Sequence, residues 1–500
     1  MQKIMLLPLD ERPCNAAFPA LMMRGNAAFE LLAPPRALLG DKKRPADTEA
    51  LWGWCEQHIA ECSAAVLSLD LWVYGGIVPS RLHHLSLEEA RRRLDRLRAL
   101  RRLAPGVRLY AFNLITRAPA YNSSDEEPDY YETCGEQLNL FGQLLDRRER
   151  GLLTEAENEK YAALEQAIPS SVLKDFEERR AINHAINERS LALAEDGTLD
   201  FLVIPLDDCA KYGWTARERR ALQCAVVEKR LSGRVFLYSG ADEVGGVLLA
   251  RAANQLLGRT PAVFLYYSAV GGERVVPKFE DRPLGENLKW QIAAAGGVLA
   301  DTADEADFLL LVNAPVASGA DMGEADIPYA QLDSRYTSER CLPEFVAHLR
   351  RWTARKPIAL ADLAFANGAD DELVSLLAQE GLLKRLDSFA GWNTAANAAG
   401  TCIAHMMLRA CPGERDASFL HLRLLEDWAY MAHVRGEAAQ WAEEHGPEEA
   451  PLKAFVRDGL QRRAQELALP VTVEAVDFPW KRLFEVSMRI TSAKEKGDKQ

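Results

Sequence analysis

The sequence predicts an α/β protein: two doubly wound, mostly parallel sheet domains with an interdomain cleft and a helical C-terminal region. Three observations predict it. Short apolar runs alternate with amphipathic stretches, the runs end in carboxylates, amides or glycine-rich turns, and the pattern restarts after Gly258-Arg-Thr-Pro261. Strands alternating with helices build parallel sheets, and open sheets of this kind hold ligands at the carboxyl ends of their strands. At 500 residues the chain also exceeds the size at which a single core usually splits.

Residues 3–9 read as the first strand, ending in Asp10-Glu-Arg-Pro-Cys-Asn15, and residues 30–33 as the second, stopped by Pro34-Pro35. A helix through Trp52 and Trp54 leads to strand 64–70 and a turn-rich stretch from Leu71 to Arg81. Ser86 and Glu89 have capping-box spacing and open a helix to about Leu103. Its arginines interleave with Glu88, Glu89 and Asp95 and read as a solvated face. Strand 107–117 follows, then a loop from Ala118 to Tyr131 and a helical insertion over 132–197. The apolar run Leu202–Leu206 ends in Asp207-Asp208, and Thr215 with Glu218 predicts the next helix start. Arg234 to Glu243 reads as strand and turn, leading into a helix that ends near Leu257.

Beyond Pro261 the strands are 262–267, one near Val298, 307–312, 357–361 and 387–391, with a helix over 285–295 closed by Gly296-Gly297. Six strands precede Gly258 and about five follow it. Two doubly wound domains use them all, whereas a TIM-barrel-like fold, the rival, leaves about three over. The domains are then 1–258 with the insertion 132–197, 259–403 as a second Rossmann-like domain, a helical region 404–490 and a charged tail 491–500. Leu469 to Trp480 is expected to return as an extended segment.

Composition narrows the function. A net charge of −13 argues against general nucleic-acid binding. No apolar run approaches the ~20 residues of a membrane helix, and the first residues are too soon acidic for a signal peptide. Nine dispersed cysteines without C-x-x-C spacing read as reduced thiols in a cytoplasmic protein, Cys55 and Cys62 among them as packing. P-loop, dinucleotide-binding, serine-hydrolase and zinc-protease signatures are absent. The one histidine pair, His83-His84, reads as surface.

What remains is acidic, amide and aromatic residues at strand ends. Asp207 and Asp208 are the leading pair. Neighbours on an ideal strand point to opposite faces, so both converge only if the strand end turns; otherwise one caps the loop and the other is exposed. Lys211 lies in that loop. Asp242 and Glu243 offer a second carboxylate, with Asp242 also placed as a helix N-cap. Asp10, Glu11, Arg12 and Asn15 crowd the end of the first strand, as a site or as a salt-bridged turn. Asp70 and Tyr74 flank Gly75-Gly76, where missing side chains let a ligand approach the backbone. Asn113 and Arg117 are placed to hold a hydroxyl and an anion, or to cap local backbone. Asp362 and Asn367 end a later strand in the same manner. Trp392 offers a flat apolar face, and Asn393, Thr394 and Asn397 offer donors and acceptors; Asn393 and Asn397 share a face if a helix starts at Thr394.

Pro8-Leu-Asp-Glu-Arg-Pro-Cys-Asn15, Ser68-Leu-Asp-Leu-Trp-Val-Tyr-Gly-Gly76, Leu206-Asp-Asp208, Gly240-Ala-Asp-Glu243 and Gly391-Trp-Asn-Thr-Ala-Ala-Asn397 together resemble a bacterial domain-of-unknown-function family, DUF4127. The likeness runs from the first strand to about Thr401. It implies that these blocks belong to one unit, and it brings no catalytic residue with it.

These parts suit an intracellular carbohydrate-active enzyme, in the first place a glycoside hydrolase, which needs one protonated and one ionised carboxyl group. Asp208 is expected as acid/base, and Asp207 as the group that orients the substrate or stabilises developing positive charge. Such a pair also suits substrate-assisted cleavage of N-acetylated amino sugars. Asp242 or Glu243 is the alternative second carboxylate, and Arg12, Asp70, Trp392, Asn393 and Asn397 are expected to bind sugar. This reading needs no cofactor. Its rivals are a Mg²⁺- or Mn²⁺-dependent sugar or sugar-acid isomerase or lyase, and a non-catalytic sugar-binding protein. The expected partner is a small-molecule carbohydrate, not nucleic acid or membrane, and a homo-oligomer stays open.

Overall fold

A computed structural model describes residues 1–492. The chain forms two compact units, one of Met1–Pro19, Ala28–Leu257 and Phe279–Arg282, the other of Ala20–Ala27, Gly258–Lys278 and the chain from Pro283 onward. Each is an α/β unit around its own parallel sheet, so no eight-stranded barrel forms.

In the first unit the strands are β1 (Gln2–Leu7), β2 (Phe29–Leu32), β3 (Ala64–Ser68), β4 (Arg108–Phe112), β5 (Phe201–Leu206) and β6 (Val235–Ser239). They lie in the order β2-β1-β3-β4-β5-β6, every neighbour parallel. Every residue of β3 and β5 is buried, as expected of central strands covered on both faces. The order reverses between β1 and β3, the switch point where such sheets open a crevice at their carboxyl edge. Helix Val244–Leu256 leaves β6 and packs back across β1, β3 and β4, which brings the turn before it to that edge.

Three sequence expectations change here for local reasons. β3 stops at Ser68 because the Ser68 hydroxyl accepts from Leu71 N–H (3.2 Å) and starts a helix, Leu69–Tyr74; Asp70 therefore sits in its first turn. The stretch 71–81 is not open turn but that helix and another, Ile77–Leu82, split by Gly75 and Gly76. The Gly75 face is not free for a ligand, since a Cβ there would meet Ala46 N and Pro45 Cβ at 2.8 Å. Helix Trp214–Glu228 is capped at Gly213, not at Thr215, which is buried inside it. The arginine-rich stretch forms helices Leu87–Asp95 and Leu97–Leu103, and its arginines pair outward with Glu49, Glu56, Glu89 and Asp95.

The insertion is three helices, Tyr131–Glu149, Glu155–Ala167 and Ser170–Glu195, closing on a small aromatic core of Tyr131, Phe141, Tyr161, Phe176 and Trp214.

In the second unit β7 (Ala262–Tyr267), β8 (Val298–Leu299), β9 (Phe308–Asn313), β10 (Ile358–Asp362) and β11 (Ser388–Ala390) lie in the order β11-β10-β9-β7-β8, again all parallel. Read by chain order this is the same arrangement as in the first unit, with its reversal between β7 and β9. Helix Ala395–Arg409 packs on β10 and β11. A π-helical turn, Leu424–Val434, and helices Arg435–His445 and Glu449–Glu466 follow. The C-terminal region is mainly helical, and the expected extended segment is β12 (Val471–Asp477), which forms an antiparallel hairpin with β13 (Ser487–Ser492) on helix Glu449–Glu466. Of the expected tail, Thr491 and Ser492 finish β13, and 493–500 lie outside the described residues. Among the described residues all nine cysteines are free thiols, and no helix is long and apolar enough to cross a membrane.

Two glycine substitutions test the packing. A Cβ at Gly142 would meet the Trp214 indole at 2.2 Å, whereas one at Gly53, on an exposed helix face, meets nothing. Gly142→Ala is expected to destabilise by about 1–3 kcal/mol and Gly53→Ala to stabilise by about 0.5–1 kcal/mol, both read from urea midpoints.

Candidate functional site

The carboxyl edge of the first sheet carries two buried polar networks. The first joins the ends of β1 and β6. Asp10 accepts from the backbone N–H and Nε of Arg12, both at 2.9 Å, and Asn15 Nδ2 donates to Asp10 and Asp242, each at 2.9 Å. The Arg12 guanidinium also pairs with Asp242. All four side chains are buried. Asp242 thus serves the β1 end rather than capping the helix that follows. Glu243 turns back on its own loop, accepting from Ala241 N–H at 2.9 Å, and Gly240 leaves the space its carboxylate fills. Glu11 points away and accepts from Lys42 N–H at 2.8 Å.

The second network contains the leading pair. Asp208 has φ +35, a left-handed conformation that takes it off the strand alternation. Asp207 and Asp208 therefore reach one ionic cluster. Arg81 donates to Asp207 (2.7 Å), Glu126 (3.0 Å) and Glu127 (3.2 Å). Arg117 donates to Asp208 (3.1 Å), Glu126 (3.1 Å) and Glu127 (3.0 Å). Two guanidinium groups thus face four carboxyl groups. The loop after β5 is held by Asp146 of the insertion, which accepts from Gly213 N–H at 3.0 Å; among the described residues Asp207 and Asp208 accept from arginines and from no backbone N–H of that loop.

Four acids against two cations, out of water, cannot all hold charge cheaply. Burial, then the neighbouring Asp207, push the Asp208 carboxyl up to about 6, against the pull of Arg117 and Arg81. Its side chain remains 25% exposed, so it reaches solvent. Asp70 is fully enclosed, and burial raises it to about 7, although Leu114 N–H donates to it at 3.0 Å and Asp207 adds to the rise. Tyr74, one helical turn on, stacks on His83 with ring centroids 4.6 Å apart. Among the described residues the buried Tyr74 hydroxyl has no hydrogen-bond partner. His83 is not a surface residue: it is half-buried, bonds Asn183 at 2.7 Å, and burial lowers it to about 4.

Lys211 stands outside the cluster, exposed, with its ammonium over the Tyr212 ring. Asn113 is buried and its N–H continues the β4–β5 pairing, donating to Val203 O at 3.1 Å. Sequence reasoning missed Arg81, Tyr121, Glu126, Glu127, Arg179, Arg180, Asn183 and Asn187. Arg179, Asn183 and Asn187 recur every four residues on helix Ser170–Glu195, a buried polar stripe that periodicity could have flagged. Tyr121 is exposed, with the Arg117 guanidinium 6.0 Å from its ring. Nothing in the loop composition marked it or the two glutamates.

The predicted residues of the second unit sit in networks of its own carboxyl edge. Asn313 Nδ2 donates to Asp362 (2.9 Å) and Asp370 (3.1 Å), Ser268 donates to Asn313 (2.8 Å), and Arg340 pairs with Asp370. Burial and Asp370 raise the Asp362 carboxyl. Every member of this group is buried. Asn367 and Asn393 both adopt left-handed conformations, φ +58 and +69, and Asn367 N–H donates to Asn393 O at 2.9 Å. Because Asn393 lies before the N-cap Thr394, it does not share a helix face with Asn397, whose N–H is held by Thr394. Trp392 is buried and offers no open platform. Gly391 N–H beside it is held by Asp427 of the π-helical turn at 2.7 Å. Among the described residues, no His, Cys, Asp and Glu side chains gather as a metal-ligand set.

The family model described as "Protein of unknown function (DUF4127)" matches residues 4–489, essentially the whole chain. No curated protein and no solved structure matches.

Two predictions follow from the charge arrangement. Asp70 titrates near 3.9 when unfolded and at about 7 when folded, so the stability it contributes is complete below about pH 4 and is lost as pH rises through about 7. Asp70→Asn is expected to reduce the fall in urea midpoint across that window. Arg81→Leu leaves the buried Asp207 without its cation, while Glu126 and Glu127 keep Arg117, and is expected to cost about 3–5 kcal/mol; Arg81→Lys recovers only part, since an ammonium cannot fork to three carboxylates.

Proposed function

We propose that this chain, which belongs to the DUF4127 family, is a glycoside hydrolase with Asp208 as its general acid/base. The observation that carries the reading is the Asp208 carboxyl itself: partly open to solvent, raised to about 6, and beside a second carboxyl group that Arg81 holds in place. Two neighbouring acids in unequal environments are what acid/base division of labour requires. Asp208 would protonate the leaving oxygen as the substrate's N-acetyl oxygen closes on the anomeric carbon, and would then take a proton from the water that attacks that carbon and reopens the ring. Asp207 would orient the substrate or face the positive charge that develops at the sugar, a role that also suits participation by an N-acetyl group. The exposed Tyr121 ring gives a sugar an apolar face to rest on, and Arg117 offers donors to hydroxyls. No step in this scheme needs a cofactor, and the free, dispersed thiols suit a cytoplasmic enzyme.

The test is a panel of aryl glycosides, N-acetylated hexosaminides included, with graded leaving groups. Asp208→Asn is expected to lower kcat by about 10²-fold or more on poor leaving groups and less on good ones, which need little protonation. The wild-type rate should fall as pH rises above about 6, where Asp208 loses its proton, and the variant should lack that limb. Chelator should leave the rate unchanged; loss with chelator would favour the Mg²⁺ or Mn²⁺ isomerase or lyase instead. If Asp208→Asn turns over every substrate as fast as the wild type, the assignment fails. If the chain binds a sugar and never cleaves it, it is a sugar-binding protein.

A further inference from the structure

At the amino edge of the second sheet lies a hollow of about 340 Å³. Its walls come from the segments that enter β10 and β11 and from the end of helix Ala395–Arg409. Six cationic side chains line it, Arg355, Lys356, Lys384, Arg385, Arg409 and Arg415, with Asp387 the one acid among them. On a chain with a net charge of −13 this is a steep local reversal.

Structure accounts for half of these charges. Lys356 Nζ donates to the carbonyls of Asp304 and Ala306, both at 2.7 Å, and Arg409 donates to the carbonyl of Asp416. Arg415 donates to Asp387 at 3.2 Å, and Asp387 also accepts from Ile358 N–H at 3.1 Å. Helices Leu342–Trp352, Asp371–Gln379 and Ala395–Arg409 all end shortly before lining residues. Their C-terminal partial charges of about half a unit each offset only a fraction of six cations. Arg355 rests over Trp352, 5.7 Å from its ring, is exposed, and has no ion pair among the described residues. Lys384 and Arg385 are exposed and have neither an ion pair nor a side-chain hydrogen bond among the described residues. Like charges held together without a partner repel, and the free energy is recovered when a multiply charged anion enters.

We propose that this hollow binds a small, multiply charged anion of the phosphate class. Guanidinium groups match phosphate oxygens in pairs, and lysine adds a point charge. A bounded hollow of this size suits a phosphorylated small molecule or pyrophosphate. A nucleic-acid strand would need a basic track that an acidic surface does not continue. The site is independent of the Asp208 chemistry.

The experiment is calorimetric titration of the full chain with pyrophosphate and with orthophosphate at low ionic strength, repeated with Lys384→Ala/Arg385→Ala. Both residues are exposed, so the variant should keep the wild-type circular dichroism and melting profile. Pyrophosphate is expected to bind more tightly than orthophosphate, to weaken with added salt, and to lose about tenfold or more in affinity in the double variant. Absence of binding by either anion, or equal affinity in wild type and variant, would overturn the proposal. Tighter binding of a single-stranded oligonucleotide through the same two residues would overturn the small-ligand assignment.

Discussion

Two guanidinium groups, Arg81 and Arg117, hold the carboxyl edge of the first sheet together. They come from a short helix after β3 and from the chain after β4, and they share Glu126 and Glu127 from a loop without regular structure. That shared clamp fixes where Asp207 and Asp208 point. It is also short of positive charge, because the acids outnumber the cations. Burying surplus negative charge shifts the balance toward protonation, and the burden falls on the groups least well paired. Burial is the first cause at both Asp70 and Asp208, and the neighbouring Asp207 charge adds to it, so both rise toward neutrality. Structural cohesion and the upward shift of these carboxyl groups have the same electrostatic origin.

The two units repeat one plan with different outcomes. Each sheet reverses its strand order near its first strand, and each places a polar network at that edge. In the second unit the network is closed: Asn313, Asp362, Asp370 and Arg340 are buried and bond chiefly to one another. In the first unit the corresponding edge stays partly open at Asp208. The second unit's unpaired charge lies at the opposite end of its sheet, where Lys384 and Arg385 stand exposed. Parallel sheets leave backbone N–H groups at one edge and carbonyls at the other, and side chains at the two ends meet different electrostatic demands.

Much of the fold was legible. The six and five strands fall where the apolar runs predicted, because strands covered on both faces read as continuous apolar segments. Helix starts were less legible. Ser86 and Thr394 cap as their spacing suggested, but Thr215 lost to Gly213 and Asp242 was taken by Arg12. A side chain able to cap is equally able to pair elsewhere, and only a long-range partner decides. His83 shows the same thing, since Asn183 and Tyr74 enclose a residue that its neighbours in sequence left exposed.

By itself the sequence determined the α/β class, the restart near Gly258, and the polar residues that end the strands, since these depend on local periodicity and turn chemistry. It also determined that Asp207 and Asp208 stand together where β5 ends. Only the tertiary structure decided which acids share a cation, which stay paired and which are raised toward neutrality. Those outcomes depend on Arg81, Arg117, Glu126 and Glu127, brought together from separate segments. An electrostatic balance among buried groups is a property of distance in space, and no spacing along the chain encodes it.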